Sequence, residues 1–398
     1  MSAPIRLLSF STLYPNAARP THGVFVENRL RQLAASGRAE LRVLAPVPWF
    51  PSASPRFGAW AVHARAPLAE TRHGLEVAHP RFPVIPKVGM TLAPWLLYHA
   101  TLPAARRLAR EFGAQAIDAH YLYPDGVAAA WLGRALGLPV VMTARGTDVN
   151  LIPRHVLPRR MIQGAIEGAA GLIAVSAALK AALVDLGAPA AKVTVLRNGV
   201  DLDLFRPPAD RAAARAALGL AGPTLLSVGH LIERKGHDLA IAALADLPGW
   251  SLLILGEGPE RGRLEALAAA PSVAGRVRLL GARPHAALPA IYGAADLLVL
   301  ASSREGWANV LLESMACGTP VVASDIWGNP EVVRAPAAGR IVARAPAAIA
   351  EGVRALAAAP PDRAATRAYA EGYGWGPTTE GQLALFRRII AQAGTADR

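Results

Sequence analysis

Short apolar runs bounded by Gly, Pro or polar residues recur along the first half of the chain, at residues 5–10, 41–46, 139–143, 172–175 and 193–196. Stretches rich in alanine and leucine, with helical spacing, separate them. Apolar strands alternating with helices predict parallel sheets buried on both faces. The pattern restarts after Asn198-Gly199-Val200-Asp201, with strands predicted at residues 224–228, 251–255, 277–280, 297–300 and 320–323. The restart predicts two α/β domains that meet near residues 190–205. A chain of 398 residues suits that division, at roughly 100–200 residues per core. Two domains imply a cleft. Residues 46–96 break the rhythm: they are rich in Pro, Arg and aromatics, as in Pro48-Trp49-Phe50-Pro51 and Pro83-Val84-Ile85-Pro86, and are predicted to be long loops. Helical spacing returns in the last segment, residues 378–393.

Composition narrows the picture. Hydrophobic residues make up 53% of the chain. Alanine supplies much of this, and no window reaches the roughly 18 uncharged apolar residues of a membrane-spanning helix. The apolar run at 5–10 has no basic cluster before it and leads straight into Tyr14-Pro15-Asn16, so it reads as a first strand rather than a signal peptide, and a cytoplasmic location is expected. Cys317 is the only cysteine, which excludes an internal disulfide framework and a cysteine-rich metal site; it reads as a small buried residue. The net charge of +13 is uneven: residues 1–190 hold 20 Lys/Arg against 10 Asp/Glu, and the rest hold 22 against 19. A basic first half suggests an anionic partner, a phosphate compound or an acidic membrane surface, or else a solvated basic surface. Nucleic acid is not expected, because the arginines are scattered and form no motif with interleaved aromatics.

The most informative segment follows the predicted strand at 297–300 and runs Glu305-Gly306-Trp307-Ala308-Asn309-Val310-Leu311-Leu312-Glu313, then Ser314-Met315-Ala316-Cys317-Gly318-Thr319-Pro320. It combines a loop, a helix and a new strand. Gly306 lets the backbone approach a ligand closely, and the N–H groups of the helix start after it suit a diphosphate. Glu313, two turns beyond Glu305, is expected to face the same cleft, both carboxylates accepting sugar or ribose hydroxyls; the alternative is a pair of solvated helix-end glutamates. A second segment, Ser227-Val228-Gly229-His230-Leu231-Ile232-Glu233-Arg234-Lys235-Gly236, ends the second domain's first strand and offers a lysine between glycines, a point charge suited to a leaving diphosphate.

These two segments resemble the E-x7-E signature and the diphosphate loop of the family 4 retaining glycosyltransferases, and the likeness extends over nearly the whole chain. The resemblance implies two Rossmann-like domains facing a central cleft, the GT-B fold. Residues 1–195 would form the acceptor-side domain, with residues 376–398 packing back onto it, and 196–375 the nucleotide-sugar domain. It implies that Glu305 contacts the donor sugar and Glu313 the ribose, with Gly306, Trp307, Ala308, Asn309 and Val310 also at the donor. Lys235 would meet the diphosphate. His230 stands where the family usually has arginine: either it donates when protonated, or Arg234 assists Lys235. Asn198-Gly199-Val200-Asp201 resembles the interdomain segment of the family, which removes Asp201-Leu202-Asp203 from contention as a metal pair. Gly256-Glu257-Gly258-Pro259 imitates the start of a dinucleotide fingerprint, but Arg261 replaces its third glycine. Family members carry a similar turn lining the nucleotide site.

In the first domain Gly23, with His22 in place of a second glycine, resembles the family's glycine loop on the donor. His120, in Asp118-Ala119-His120, lies where the family keeps a histidine that touches the donor sugar; a core histidine is the alternative. Arg145 and Asp148, in Thr143-Ala144-Arg145-Gly146-Thr147-Asp148, are acceptor-side candidates, the arginine suited to an acceptor phosphate. The expected reaction moves a hexose-type sugar from a UDP- or GDP-sugar to an acceptor hydroxyl with retention, without metal, cofactor or protein nucleophile, in cell-surface polysaccharide or glycolipid assembly. A lipid-linked or oligosaccharide acceptor and peripheral contact with an anionic membrane fit that setting. A nucleotide-sugar epimerase and a non-catalytic sugar-binding partner are the competing expectations.

Overall fold

An apolar strand can bury both faces only when helices cover both sides of its sheet. A computed structural model describes residues 3–85 and 89–396; Pro86 of the predicted loops and the final positions 397 and 398 lie outside them. The chain divides into two compact units, Met1–Arg197 with Gly376–Arg398, and Asn198–Trp375. The strands of unit 1 are β1 Ile5–Phe10, β2 Ala39–Leu44, β3 Val47–Pro48, β4 Ala69–Arg72 and β5 Leu75–Ala78. They continue with β6 Arg81–Phe82, β7 Ala116–His120, β8 Val140–Ala144, β9 Gly171–Ala174 and β10 Val193–Val195. Unit 2 holds β11 Thr224–Val228, β12 Ser251–Leu255, β13 Val277–Gly281, β14 Leu297–Leu300, β15 Val321–Ser324 and β16 Gly339–Val342.

Among the described residues unit 1 forms an eight-stranded sheet in the order β10-β9-β8-β7-β1-β2-β5-β4, parallel except for the β4–β5 pair. Unit 2 forms a six-stranded parallel sheet, β13-β12-β11-β14-β15-β16. Both sheets are Rossmann-like, as the alternation of strands and helices predicts. Helix Val24–Ala35 lays Val26, Leu30 and Leu33 on Leu7 and Val43, and helix Gly376–Ala396 adds Leu383, Phe386 and Ile389 to the same cluster. In unit 2, helices His237–Leu244 and Pro346–Ala358 pack Ala240, Leu244, Ile349 and Val353 on Leu225, Ile254, Val299 and Val322.

Residues 46–96 are not the long loops expected of them. The segment holds β3, helix Ala59–Arg65, a hairpin of β4 and β5, and β6. Each piece is too short for its periodicity to stand out, and the hairpin turns at His73-Gly74, where both residues have positive φ, the requirement of a two-residue turn of this hand. Strand β7 is also absent from the sequence reading. It carries Asp118 and His120 inside a fully buried central strand, and two ionisable residues in five mask the apolar signal.

Candidate functional site

Open parallel sheets bind ligands at the carboxyl ends of strands where the strand order reverses. In unit 2 that point lies between β11 and β14. The loop after β11 bears Lys235 and the loop after β14 bears Glu305. Gly236 lets the loops meet: its φ is +68, and a Cβ there would lie 2.1 Å from the carbonyl oxygen of Ala301. Across this contact the Lys235 Nζ donates to Glu305 Oε1 at 2.6 Å, and Ser302 Oγ donates to the same oxygen at 2.8 Å. Arg234 Nη1 stands 3.6 Å from the other carboxylate oxygen and donates to the Arg304 carbonyl at 2.7 Å. Burial works against the charge on Glu305, but Lys235 and Arg234 outweigh it and hold the carboxyl below its ordinary range. The result is a buried carboxylate that orients a lysine with three donors, one of which it occupies.

Beneath this pair lies a layer of backbone packing. A Cβ on Gly256 would sit 1.9 Å from the Gly229 carbonyl oxygen, and one on Gly258 2.4 Å from that of Leu231. The Gly256-Glu257-Gly258 turn is therefore pressed against the loop after β11, and Leu231 N–H donates to the Glu257 carbonyl at 2.9 Å. His230 is exposed on that loop.

Glu305 and Glu313 do not lie two turns apart on one helix, as their spacing predicts. The helix begins at Asn309 and ends at Ala316, so Glu305 belongs to the preceding loop and helical periodicity does not relate the pair. Glu313 is half-buried on that helix and accepts from Tyr292 Oη at 2.7 Å. Burial pushes its carboxyl up to about 7, the Tyr292 hydroxyl pulling the other way. At the helix start Ala308 gives no side-chain cap, and of the first-turn N–H groups that of Leu311 donates to the Ala308 carbonyl at 3.1 Å. Gly306, Trp307 and Ala308 are buried, Asn309 and Val310 half-buried, and Asn309 Oδ1 accepts from Asn198 Nδ2 at 3.3 Å. Ser302 and Tyr292 were not singled out in the sequence. Ser302 had a signal, a hydroxyl beside an acidic motif; Tyr292 had none, since only the tertiary structure sets its helix against Glu313.

In unit 1 the strand order reverses between β7 and β1. Gly23, at φ +70, starts the first helix, and a Cβ on it would lie 2.3 Å from the Leu13 carbonyl oxygen, so the glycine allows the loop after β1 to close on that helix. His22 Nε2 lies 3.1 Å from the Thr12 carbonyl. Asp125, fully buried, accepts from Thr12 N–H at 2.7 Å and from both Ser11 and Thr12 hydroxyls. His120 ends β7 with no exposed surface, its Nε2 3.2 Å from Asp118 Oδ2 and its Nδ1 2.9 Å from Arg145 Nη2. Burial lowers its pKa, with Asp118 opposing. The ring is thus a core histidine in this structure, and Arg145 is the half-buried group that screens it, its guanidinium 5.3 Å above the Phe25 ring. Asp148 is corrected as an acceptor-side candidate: it is fully buried, and its carboxylate accepts from the backbone N–H groups of Leu122, Arg145 and Gly146. It shapes the loop that carries Arg145.

Asp201 Oδ1 accepts from the N–H groups of Asp203 and Leu204, a turn-forming role. Among the described residues no group of three His, Cys, Asp or Glu is placed to hold a metal ion, and Cys317 is buried.

Residues 23–204 match the model of glycosyltransferase family 4, and residues 210–373 that of glycosyl transferases group 1. Over 221 residues the chain is 36% identical to the D-inositol 3-phosphate glycosyltransferases of Mycobacterium tuberculosis and Mycobacterium bovis, which is 52% of this chain and 46% of theirs. The chain spans about half the length of the curated relatives it matches. Sucrose-phosphate synthase from Thermosynechococcus elongatus has a TM-score of 0.79 at 23% identity, covering 98% of this chain and 100% of that one. Anabaena HepE in complex with UDP and glucose gives 0.72 at 22%, covering 95% and 98%. With two Rossmann-like sheets, these folds in common and family models matching both parts of its length, the chain belongs to the family 4 glycosyltransferases of the GT-B fold.

Proposed function

We propose that the chain is a retaining, metal-independent glycosyltransferase that moves a hexose-type sugar from a UDP- or GDP-sugar to an acceptor hydroxyl, in the assembly of a cell-surface polysaccharide or glycolipid. The observation that carries this reading is the Lys235–Glu305 pair at 2.6 Å, held at the switch point of the unit 2 sheet beside an uncapped helix start. Lys235 and Arg234 supply the positive charge that a departing diphosphate needs, and Glu305 holds the lysine in place while its remaining lone pairs accept sugar hydroxyls. Glu313 accepts the ribose hydroxyls. The nucleotide sugar is supported by Anabaena HepE, whose structures contain UDP and UDP-glucose.

In the proposed step the bond from the anomeric carbon to the diphosphate oxygen breaks as the acceptor oxygen bonds to the same face of that carbon. The acceptor proton passes to the leaving phosphate. No protein nucleophile is used, so positioning and charge stabilisation are the catalytic contributions. On the acceptor side Arg145 is the cation suited to a phosphate, as the phosphorylated acceptor named for the mycobacterial relatives also suggests.

The full chain is to be incubated with a panel of UDP- and GDP-sugars, following nucleotide diphosphate release with and without lipid-linked, oligosaccharide and inositol phosphate acceptors, and the anomeric configuration of product by NMR. Acceptor-stimulated release with a retained anomer is expected. Inversion overturns the mechanism, donor turnover to an isomeric nucleotide sugar indicates an epimerase, and binding without turnover a non-catalytic partner.

A further inference from the structure

Side chains alternate across a strand, so Ala116, Asp118 and His120 share one face of β7, the face that helices Val24–Ala35 and Gly376–Ala396 cover with apolar residues. Asp118, His120 and Arg29 of the first helix have no exposed surface. Arg29 Nη1 donates to the Leu196 carbonyl at 3.1 Å, and its charge acts on Asp118. Replacing buried ionic groups by apolar residues of similar volume is often neutral or stabilising, so stability alone does not account for such a cluster.

The two nitrogens of one ring connect this cluster to the surface. His120 Nδ1 lies 2.9 Å from Arg145 Nη2, and Nε2 lies 3.2 Å from Asp118 Oδ2. A guanidinium only donates, so Nδ1 must accept, and the ring proton must sit on Nε2, toward the Asp118 carboxylate. One neutral tautomer satisfies both contacts; a cationic ring would set an N–H against the donors of Arg145. The charged groups that face His120 are Asp118 on its own strand, Arg145 on the loop after β8 and Arg29 on the first helix. Burial holds its pKa below the ordinary value, with Asp118 opposing and the two arginines adding to the effect. The contacts are therefore complete at neutral pH and break as pH falls through that lowered value. At the outer end Arg145 is half-buried, its guanidinium 5.3 Å above the Phe25 ring, on a loop whose N–H groups at Arg145 and Gly146 donate to Asp148.

We infer that His120 is a positioning residue: with its proton fixed toward Asp118, it holds the guanidinium of Arg145 at the carboxyl end of β8, ready for a phosphoryl group of the acceptor. The inference rests on the proposed reading of Arg145 as the acceptor-side cation and adds what fixes that cation. The ring itself has no exposed surface and touches no ligand in this arrangement. A planar guanidinium recognises phosphate through paired donors, which requires its plane to be set. Holding it against His120 and Phe25 removes rotamer freedom before a ligand arrives, so less is lost on binding. Interposing a neutral ring also matters: a direct pair with Asp118 would neutralise the arginine, whereas the imidazole orients it and leaves its charge available.

The test is NMR on the full chain, isotopically labelled at the histidine and arginine nitrogens, without donor or acceptor sugar. Long-range proton–nitrogen correlations are expected to show His120 neutral and protonated at Nε2 at neutral pH. The Arg145 Nη–H signals should be resolved in the unaltered chain and in His120→Asn, whose amide oxygen replaces Nδ1 as acceptor, and should collapse in His120→Leu. Inorganic phosphate should shift the Arg145 signals in the first two and bind about tenfold more weakly to His120→Leu. Both variants remove the ring, so retention in His120→Asn separates positioning from packing. A proton on Nδ1, a cationic ring at neutral pH, Arg145 signals indifferent to His120→Leu, or His120→Asn behaving as His120→Leu overturns the proposal. Should His120→Leu fail to fold, the tautomer and the comparison of His120→Asn with the unaltered chain decide it. Phosphate that shifts no Arg145 signal in the unaltered chain overturns it through the reading of Arg145 on which it rests. Sugar transfer does not enter these measurements, so a wrong tautomer leaves the transferase reading standing, and a chain with these contacts but no transferase activity fails only that reading.

Discussion

At the residue scale, the candidate site of unit 2 holds two carboxylates that the protein treats in opposite ways. Glu305 is kept ionised by Lys235 and Arg234 against the effect of burial, whereas Glu313 has no cation among its hydrogen-bond partners and is pushed up to about 7. Replacing Lys235 or Glu305 by alanine is expected to lower kcat by about a hundredfold or more with the fold retained, because a preorganised charge on the leaving group is lost; steady-state kinetics beside circular dichroism checks this. Near-native turnover of Glu305→Ala at saturating donor would remove it from the site. For Glu313 the sign follows from the raised value. The protonated form predominates below 7 and accepts ribose hydroxyls poorly, so nucleotide affinity should rise with pH from about 6 and level off above about 8. Stability moves oppositely: the protonated state is favoured in the folded chain, and its contribution, present below the ordinary value of 4.5, is lost as pH rises through about 7. Calorimetric titration with UDP or GDP across this range should show the slope, and Glu313→Gln should flatten it.

At the element scale the donor loops are built by close backbone approach. Gly256 at φ +149 lies against the Gly229 carbonyl, so an alanine there must push the β12 turn away from the loop that positions Lys235. Gly256→Ala is expected to destabilise unit 2 by about 1–3 kcal/mol and to weaken nucleotide binding with it. Gly262, in the helix Arg261–Ala268 with open space where its Cβ would be, is the control: Gly262→Ala should stabilise by about 0.5–1 kcal/mol and leave binding unchanged. Thermal unfolding followed by nucleotide titration separates the two. The motif glycines were legible in the sequence as a ligand-facing turn; that they are also demanded by packing between two loops 27 residues apart is visible only once β11 and β12 pair side by side.

At the scale of the whole molecule, the chain leaves unit 1 at Arg197 and returns to it with helix Gly376–Ala396. Arg38 pairs with Glu380, and Thr378 Oγ1 donates to the Arg197 carbonyl, but the larger contribution is apolar. Phe386 is fully buried in the unit 1 core, and Phe386→Ala should cost about 3–5 kcal/mol of that unit's stability, read as a lower unfolding midpoint with the unit 2 nucleotide site intact at lower temperature. Activity should persist in EDTA, since Lys235, Arg234 and the helix start at Asn309 provide the charge for the diphosphate. Complete loss restored by Mg²⁺ or Mn²⁺ would return Asp201 and Asp203 to consideration.

The alternation of apolar strands with helices, the restart after Asn198 and the Glu305-to-Glu313 and Lys235 segments were enough by themselves to determine two Rossmann-like sheets and the family, and to single out the loops that meet at Lys235 and Glu305, because these signals are local: periodicity, loop chemistry and spacing within one strand–loop–helix unit. What the tertiary structure alone decided are relations between segments distant in sequence. Lys235 reaches Glu305 because β11 and β14 are neighbours, and Tyr292 reaches Glu313 because two helices pack. His120 and Asp148 lie in the interior because their strands and loops are central, a burial that no local pattern around an ionisable residue reveals.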